Sequence, residues 1–84
     1  MGMTVFDLEA DGLNPTKIHC TAYSGVEEKE VFSTTDYEKM CVFYEGSEIL
    51  IGHNIIRFDI PVVKRLLKVD VKAKLVDTLI LPVS

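Results

Sequence analysis

The chain predicts an α/β domain in the order β-β-β-α-β-α-β, built on a mixed sheet whose first three strands are antiparallel. Three observations carry this reading. Short apolar stretches in the first third are separated by dense turn signals. From Thr35 onward the apolar period lengthens from two residues to about 3.6, the spacing of a helix face. Short apolar runs then alternate with helical stripes, the pattern of a layered α/β domain. At 84 residues the chain has room for one small domain, so residues 1–84 are read as a single domain.

The elements follow in order. Met3 to Leu8 is a short apolar strand. Asp11-Gly12-Leu13-Asn14-Pro15 is a dense turn signal. Lys17 to Ser24 reads as the second strand, with Ile18, Cys20 and Ala22 on one face, and Glu28 to Ser33 as the third. Short turns between short strands give an antiparallel meander. Thr35 followed by Glu38 fits a capping box. Tyr37, Met40, Cys41 and Tyr44 then form a helical stripe that Gly46 is expected to stop. Ile49-Leu50-Ile51-Gly52 reads as a buried strand. Ile60, Val63, Leu66 and Leu67 form a second stripe, with Pro61 in the first turn and Lys64, Arg65 and Lys68 toward the end. Lys74-Leu75-Val76 starts a last strand, and Asp77-Thr78 reads as an N-cap opening a further helix.

Composition narrows the function classes. The chain is 48% hydrophobic and 26% charged, which places it among globular rather than disordered sequences. Its net charge of −4 argues against a simple basic clamp on nucleic acid. A carboxylate-lined site remains compatible, because divalent cations neutralise it before a polyanion binds. Five of the nine basic residues, Lys64, Arg65, Lys68, Lys72 and Lys74, fall within eleven positions. They suit either a solvated helix face or phosphate contacts. Cys20 and Cys41 are too few for a disulfide framework and are expected to be reduced thiols. No apolar run approaches ~18 residues. The chain is therefore read as cytoplasmic, with no membrane partner.

Asp7 and Glu9 stand two residues apart at the end of the first strand, so both side chains share one face. Adjacent carboxylates beside a buried strand repel each other, and a divalent cation would offset that cost. Taken alone, the pair is more simply read as two solvated strand-end carboxylates. Asp59 lies between a strand and a helix, where a carboxylate often only caps. With both elements in one sheet, Asp7, Glu9 and Asp59 would converge at the carboxyl ends of strands, where open α/β sheets hold their sites. Asn54 would sit at the same edge as a hydrogen-bonding group. Asp77 again ends a strand, with an N-cap as its expected role. His19 and Cys20 point opposite ways, which argues against a zinc site. Tyr23, Tyr37 and Tyr44 read as packing residues, and Phe6 and Leu8 as core.

Taken together, these segments resemble a known family. Phe6-Asp7-Leu8-Glu9-Ala10-Asp11-Gly12-Leu13 resembles the first motif of the DEDD-type (DnaQ-like) 3′→5′ exonucleases. Asn54-x-x-x-Phe58-Asp59 resembles their second, and Val76-Asp77-Thr78-Leu79 the strand-to-helix step that follows. Thr16-Lys17-Ile18-His19-Cys20 is similar to the second strand in the proofreading domains of phage-type family A DNA polymerases. The resemblance runs from Thr4 to Leu81. It implies a ribonuclease H-like fold and a proofreading-type, metal-dependent exonuclease that acts on the 3′ end of single-stranded DNA. It further implies that Asp7, Glu9 and Asp59 are both catalytic residues and ligands of Mg²⁺ or Mn²⁺, Glu9 also orienting the attacking water. Two ions ~3.5–4 Å apart would activate that water and stabilise the leaving oxygen. Asn54, Leu13 and Phe58 would contact the substrate.

One family feature is absent. The third motif needs Tyr or His four residues before a further Asp, on a later helix, and no such pair occurs. Tyr44 and Glu48 have the spacing but precede the second motif. The expectation is an N-terminal half-domain with an incomplete catalytic set, whose uncovered apolar face associates with another copy or a partner chain. The alternative is a non-catalytic exonuclease-like module that binds DNA or a protein partner.

Overall fold

The computed structural model describes residues 3–79. It is a small α/β domain: a five-stranded mixed sheet with two helices. The strands are β1 (Met3–Ala10), β2 (Ile18–Gly25), β3 (Phe32–Thr34), β4 (Ile49–Gly52) and β5 (Lys74–Asp77). The helices are α1 (Tyr37–Gly46) and α2 (Ile60–Leu67), the latter preceded by a π-helical turn over Ile55–Asp59. The sheet order is β3-β2-β1-β4-β5. β1–β2 and β2–β3 pair antiparallel, β1–β4 and β4–β5 parallel. The expected meander and alternation are therefore present.

The alternation along β1 puts Phe6 and Leu8 inside and Asp7 and Glu9 outside. Phe6 meets Tyr44 of α1 edge-on, with ring centroids 5.5 Å apart at 80°. Met40, Leu50, Ile55 and Val63 complete the fully buried centre. The Tyr44 hydroxyl is hydrogen-bonded to Thr21 Oγ1 at 3.0 Å, so these two buried polar groups satisfy each other. The Tyr37 hydroxyl accepts from Ile18 N at 2.8 Å. That bond lies beside an irregularity of register: Glu9 pairs with Cys20 but Ala10 with Ile18, leaving His19 unpaired. Such a bulge re-aims the end of a strand, here the end that carries Glu9.

β1 runs on to Ala10 and β2 is Ile18–Gly25, each shifted by a residue or two from the sequence reading; three further differences have a local reason. The third strand is Phe32–Thr34 rather than Glu28 to Ser33. Glu28 N turns back to Gly25 O, and the Ser24 hydroxyl donates to Glu30 O at 3.0 Å, which holds this segment out of the ladder. The cap of α1 is Asp36, not Thr35: its carboxylate accepts from Glu38 N at 2.9 Å. Gly46 does not stop the helix. Ser47 does, with its backbone N and its hydroxyl both donating to Phe43 O. The helix expected after Asp77-Thr78 lies largely outside the described residues. Both cysteines are free and half-buried, and among the described residues no helix is long and apolar enough to cross a membrane.

Candidate functional site

The parallel pairing of β1 with β4 fixes where the acidic residues fall. Val5 is level with Ile51. Phe6 then lies beside Gly52, where an added Cβ would stand 3.1 Å from Phe6 O. Asp7 is therefore level with the point at which the chain leaves β4 for the loop His53–Asn54. The carboxyl ends of β1, β4 and β5 thus form one edge, carrying Asp7, Glu9, the 53–59 segment and Asp77.

That segment has an unusual course. Asn54 adopts the left-handed conformation at φ 59°, ψ 32°, which asparagine tolerates better than most residues. A single π-turn follows, closed by Ile60 N donating to Ile55 O. The wider turn adds a residue relative to an α-helix and so changes which side chains face inward. Ile55 and Asp59 are buried and Phe58 is half-buried against the core. Isolated π-turns recur at functional sites.

Asp77 holds this loop in place. Its Oδ1 accepts from Asn54 N at 2.8 Å and Leu79 N at 2.9 Å, and its Oδ2 from Ile56 N at 2.9 Å. The bond to Leu79 N, two residues on, is the capping geometry the sequence led us to expect. The bonds to Asn54 and Ile56 were not legible, because their donors lie more than twenty residues away in sequence. Burial pushes the Asp77 carboxyl up. The N–H groups of Ile56, Leu79 and Asn54, with His53, outweigh that effect and hold it below the usual range. His53 Nδ1 lies 3.1 Å from Thr78 Oγ1, on the rim of the same edge.

Asp59 is the opposite case. It is only 7% exposed, yet its side chain makes no capping bond. Its carboxyl is pushed up to about 6, first by burial and then by the charges of Asp7, Asp77 and Glu9. The charges of Asp7 and Glu9 therefore act on Asp59 across the shared edge. They are not drawn into a closed cage: among the described residues no three acidic, histidine or cysteine side chains group tightly enough to hold an ion. In chemistry the donor set suits a hard divalent cation, since all three are carboxylates. The Oδ1 of Asn54 is buried and has no hydrogen-bond partner among the described residues.

The remaining predicted residues fall as follows. Leu13 is 97% exposed at the tip of the β1–β2 loop. That loop is tied by Asp11, whose carboxylate accepts from Thr16 N, Thr16 Oγ1 and Lys17 N. The basic cluster does not line the carboxylates. α2 leaves Asp59 and runs back toward the start of β5, so Lys68, Lys72 and Lys74 lie at the opposite end of the sheet. Arg65 instead donates to Pro15 O.

No protein-family model matches the chain, and no curated protein matches it. Among 24 solved chains that do match is the family B DNA polymerase from the hyperthermophilic archaeon Pyrobaculum calidifontis. It is 21% identical with a TM-score of 0.55, and the match covers 92% of this chain and 12% of that one. The likeness is one of fold. It falls on family B, whereas the sequence resemblance pointed to phage-type family A.

Proposed function

We propose that this chain carries the acidic site of a ribonuclease H-like, DEDD-type 3′→5′ exonuclease domain that engages single-stranded DNA ends through divalent cations. One observation carries the reading: Asp59 is a buried, uncapped carboxylate at the sheet edge that also bears Asp7 and Glu9. Burying a charge without a partner is costly, so such a group calls for a cation. The strand order and the likeness to a polymerase chain support the same reading.

In this reading Asp7, Glu9 and Asp59 hold Mg²⁺ or Mn²⁺. Bound there, the ions would supply an activated water and charge stabilisation for the leaving oxygen. The protein's own contribution is positional. Asp77 fixes the Asn54–Ile56 backbone, the π-turn sets Asp59 inward, and Asn54, half-buried at the same edge, is the proposed polar contact to substrate. Leu13 and Phe58 stand on the loop and the turn that flank this edge.

A second reading has specific support: a binding module without turnover. The carboxylates are not gathered into a closed set among the described residues. The test is degradation of a 5′-labelled single-stranded oligonucleotide with Mg²⁺ or Mn²⁺, beside Mn²⁺ titration of the wild type and Asp7→Ala. Stepwise 3′ shortening that the substitution removes is the expected result for the nuclease. Mn²⁺ binding that the substitution removes, without shortening, would assign the module. Unchanged Mn²⁺ affinity in Asp7→Ala would overturn the shared site.

A further inference from the structure

A second surface lies away from the acidic edge. Tyr23 of β2 stacks on Phe43 of α1, with centroids 4.3 Å apart at 24°, and on Phe32 of β3, at 5.8 Å and 27°. The three rings form a ladder from the edge strand across to the helix. It floors a hollow of about 440 Å³ beside Val42. The hollow is open to solvent: Phe32 is 44% exposed and Val42 73%. Aromatic and aliphatic surface of this kind is usually covered by a partner when it is contiguous.

Charge selects the kind of partner. Glu28 and Glu48 line this hollow. Asp36, Glu38 and Lys39 line its continuation along α1, which shares Tyr23, Val42 and Phe43. Four carboxylates against one ammonium repel phosphates and favour cations. A guanidinium stacks on an exposed ring and pairs with carboxylates, so exposed Phe32 under an acidic rim suits arginine best. We propose that this groove docks a short segment of another protein in which arginine alternates with apolar residues. The apolar residues cover Val42 and the ring edges of Tyr23 and Phe43, and the arginines stack on Phe32 and reach Glu28 and Glu48.

The probe is a fluorescein-labelled octapeptide alternating arginine and leucine, compared by anisotropy with its glutamate–leucine counterpart. The arginine peptide is expected to bind at least about tenfold more tightly, with affinity falling as salt rises. Val42→Lys should weaken it by about tenfold or more, an effect of roughly 1.4 kcal/mol. Val42 is exposed and lysine is a good helix former, so this variant keeps the fold. Glu48→Lys, on the other wall, should weaken it as well. Equal affinity for the acidic peptide, or indifference to Val42→Lys, would overturn the proposal. Loss of binding in an Asp7→Asn/Asp59→Asn double variant would also overturn it, by moving the peptide to the acidic edge. Sedimentation showing a dimer that Val42→Lys disperses would assign the groove to a second copy of the chain instead.

Discussion

Replacing Asp59 with asparagine should make the metal-free protein more stable. The shape of the side chain is kept and only the charge is lost. In the native chain the carboxyl titrates at about 6, against 3.8 for the free group, with burial the largest cause and Asp7, Asp77 and Glu9 adding to it. The folded state therefore holds this proton more tightly than the unfolded chain. Below pH ~3.8 the group carries no penalty, between ~3.8 and ~6 stability falls as pH rises, and above ~6 the full penalty applies. A carboxyl raised this far costs at most about 3 kcal/mol when ionised, and nearer about 2 kcal/mol once screening by the open edge is allowed for. For a domain of this size that is on the order of 10 °C in melting temperature. The assay is thermal unfolding by circular dichroism with EDTA, from pH 4.5 to 8, on the wild type and Asp59→Asn. The wild type should lose stability across this window through Asp59, and the variant should lose less. Added Mn²⁺ should recover stability in the wild type, by about 2.7 kcal/mol at a hundred times its Kd, and do little for the variant. Equal pH slopes, or an asparagine variant less stable than the wild type, would refute the argument that Asp59 is held at an energetic cost.

Three further outcomes are expected. Asp77→Ala should release the Asn54–Ile56 backbone, seen as faster hydrogen exchange at the Asn54 and Ile56 amides and weaker Mn²⁺ binding, with the exchange of the central β1 amides little changed. Gly52→Ala should cost roughly 1–3 kcal/mol, measured by urea unfolding, because the added methyl would stand 2.5 Å from Ile55 Cγ2 and 3.1 Å from the Phe6 carbonyl. Asp11 should show the opposite pH behaviour to Asp59. The Thr16 hydroxyl and amide lead its stabilisation and hold it at about 2, so the β1–β2 loop should loosen as pH falls from about 4 to about 2, followed by the Thr16 and Lys17 amide shifts.

The element order and the two sides of β1 were legible in the residues alone. Period-two alternation suffices to put Phe6 and Leu8 inside and Asp7 and Glu9 outside, and helical stripes suffice for α1 and α2, because these patterns depend on local geometry alone. The sequence also marked Asp59 and Asn54 as residues at a strand-to-helix step. What it could not settle were choices between near-equal local partners. Thr35 and Asp36 are both good caps, and only the course of the chain out of β3 puts Asp36 in register with Glu38 N. Glu28 to Val31 could have been strand, but the Ser24 hydroxyl captures Glu30 O across the turn. At the site the division is sharper. Asp59 and Asp77 look alike in sequence, each an acid at the end of a strand or turn before a helix. Tertiary structure gives Asp77 three backbone N–H donors and a lowered pKa, and gives Asp59 a buried position, no cap and three acidic neighbours. The reason is that a carboxylate's chemistry is set by what the fold brings within a few ångströms of it, and those groups come from strands and turns up to about fifty residues apart.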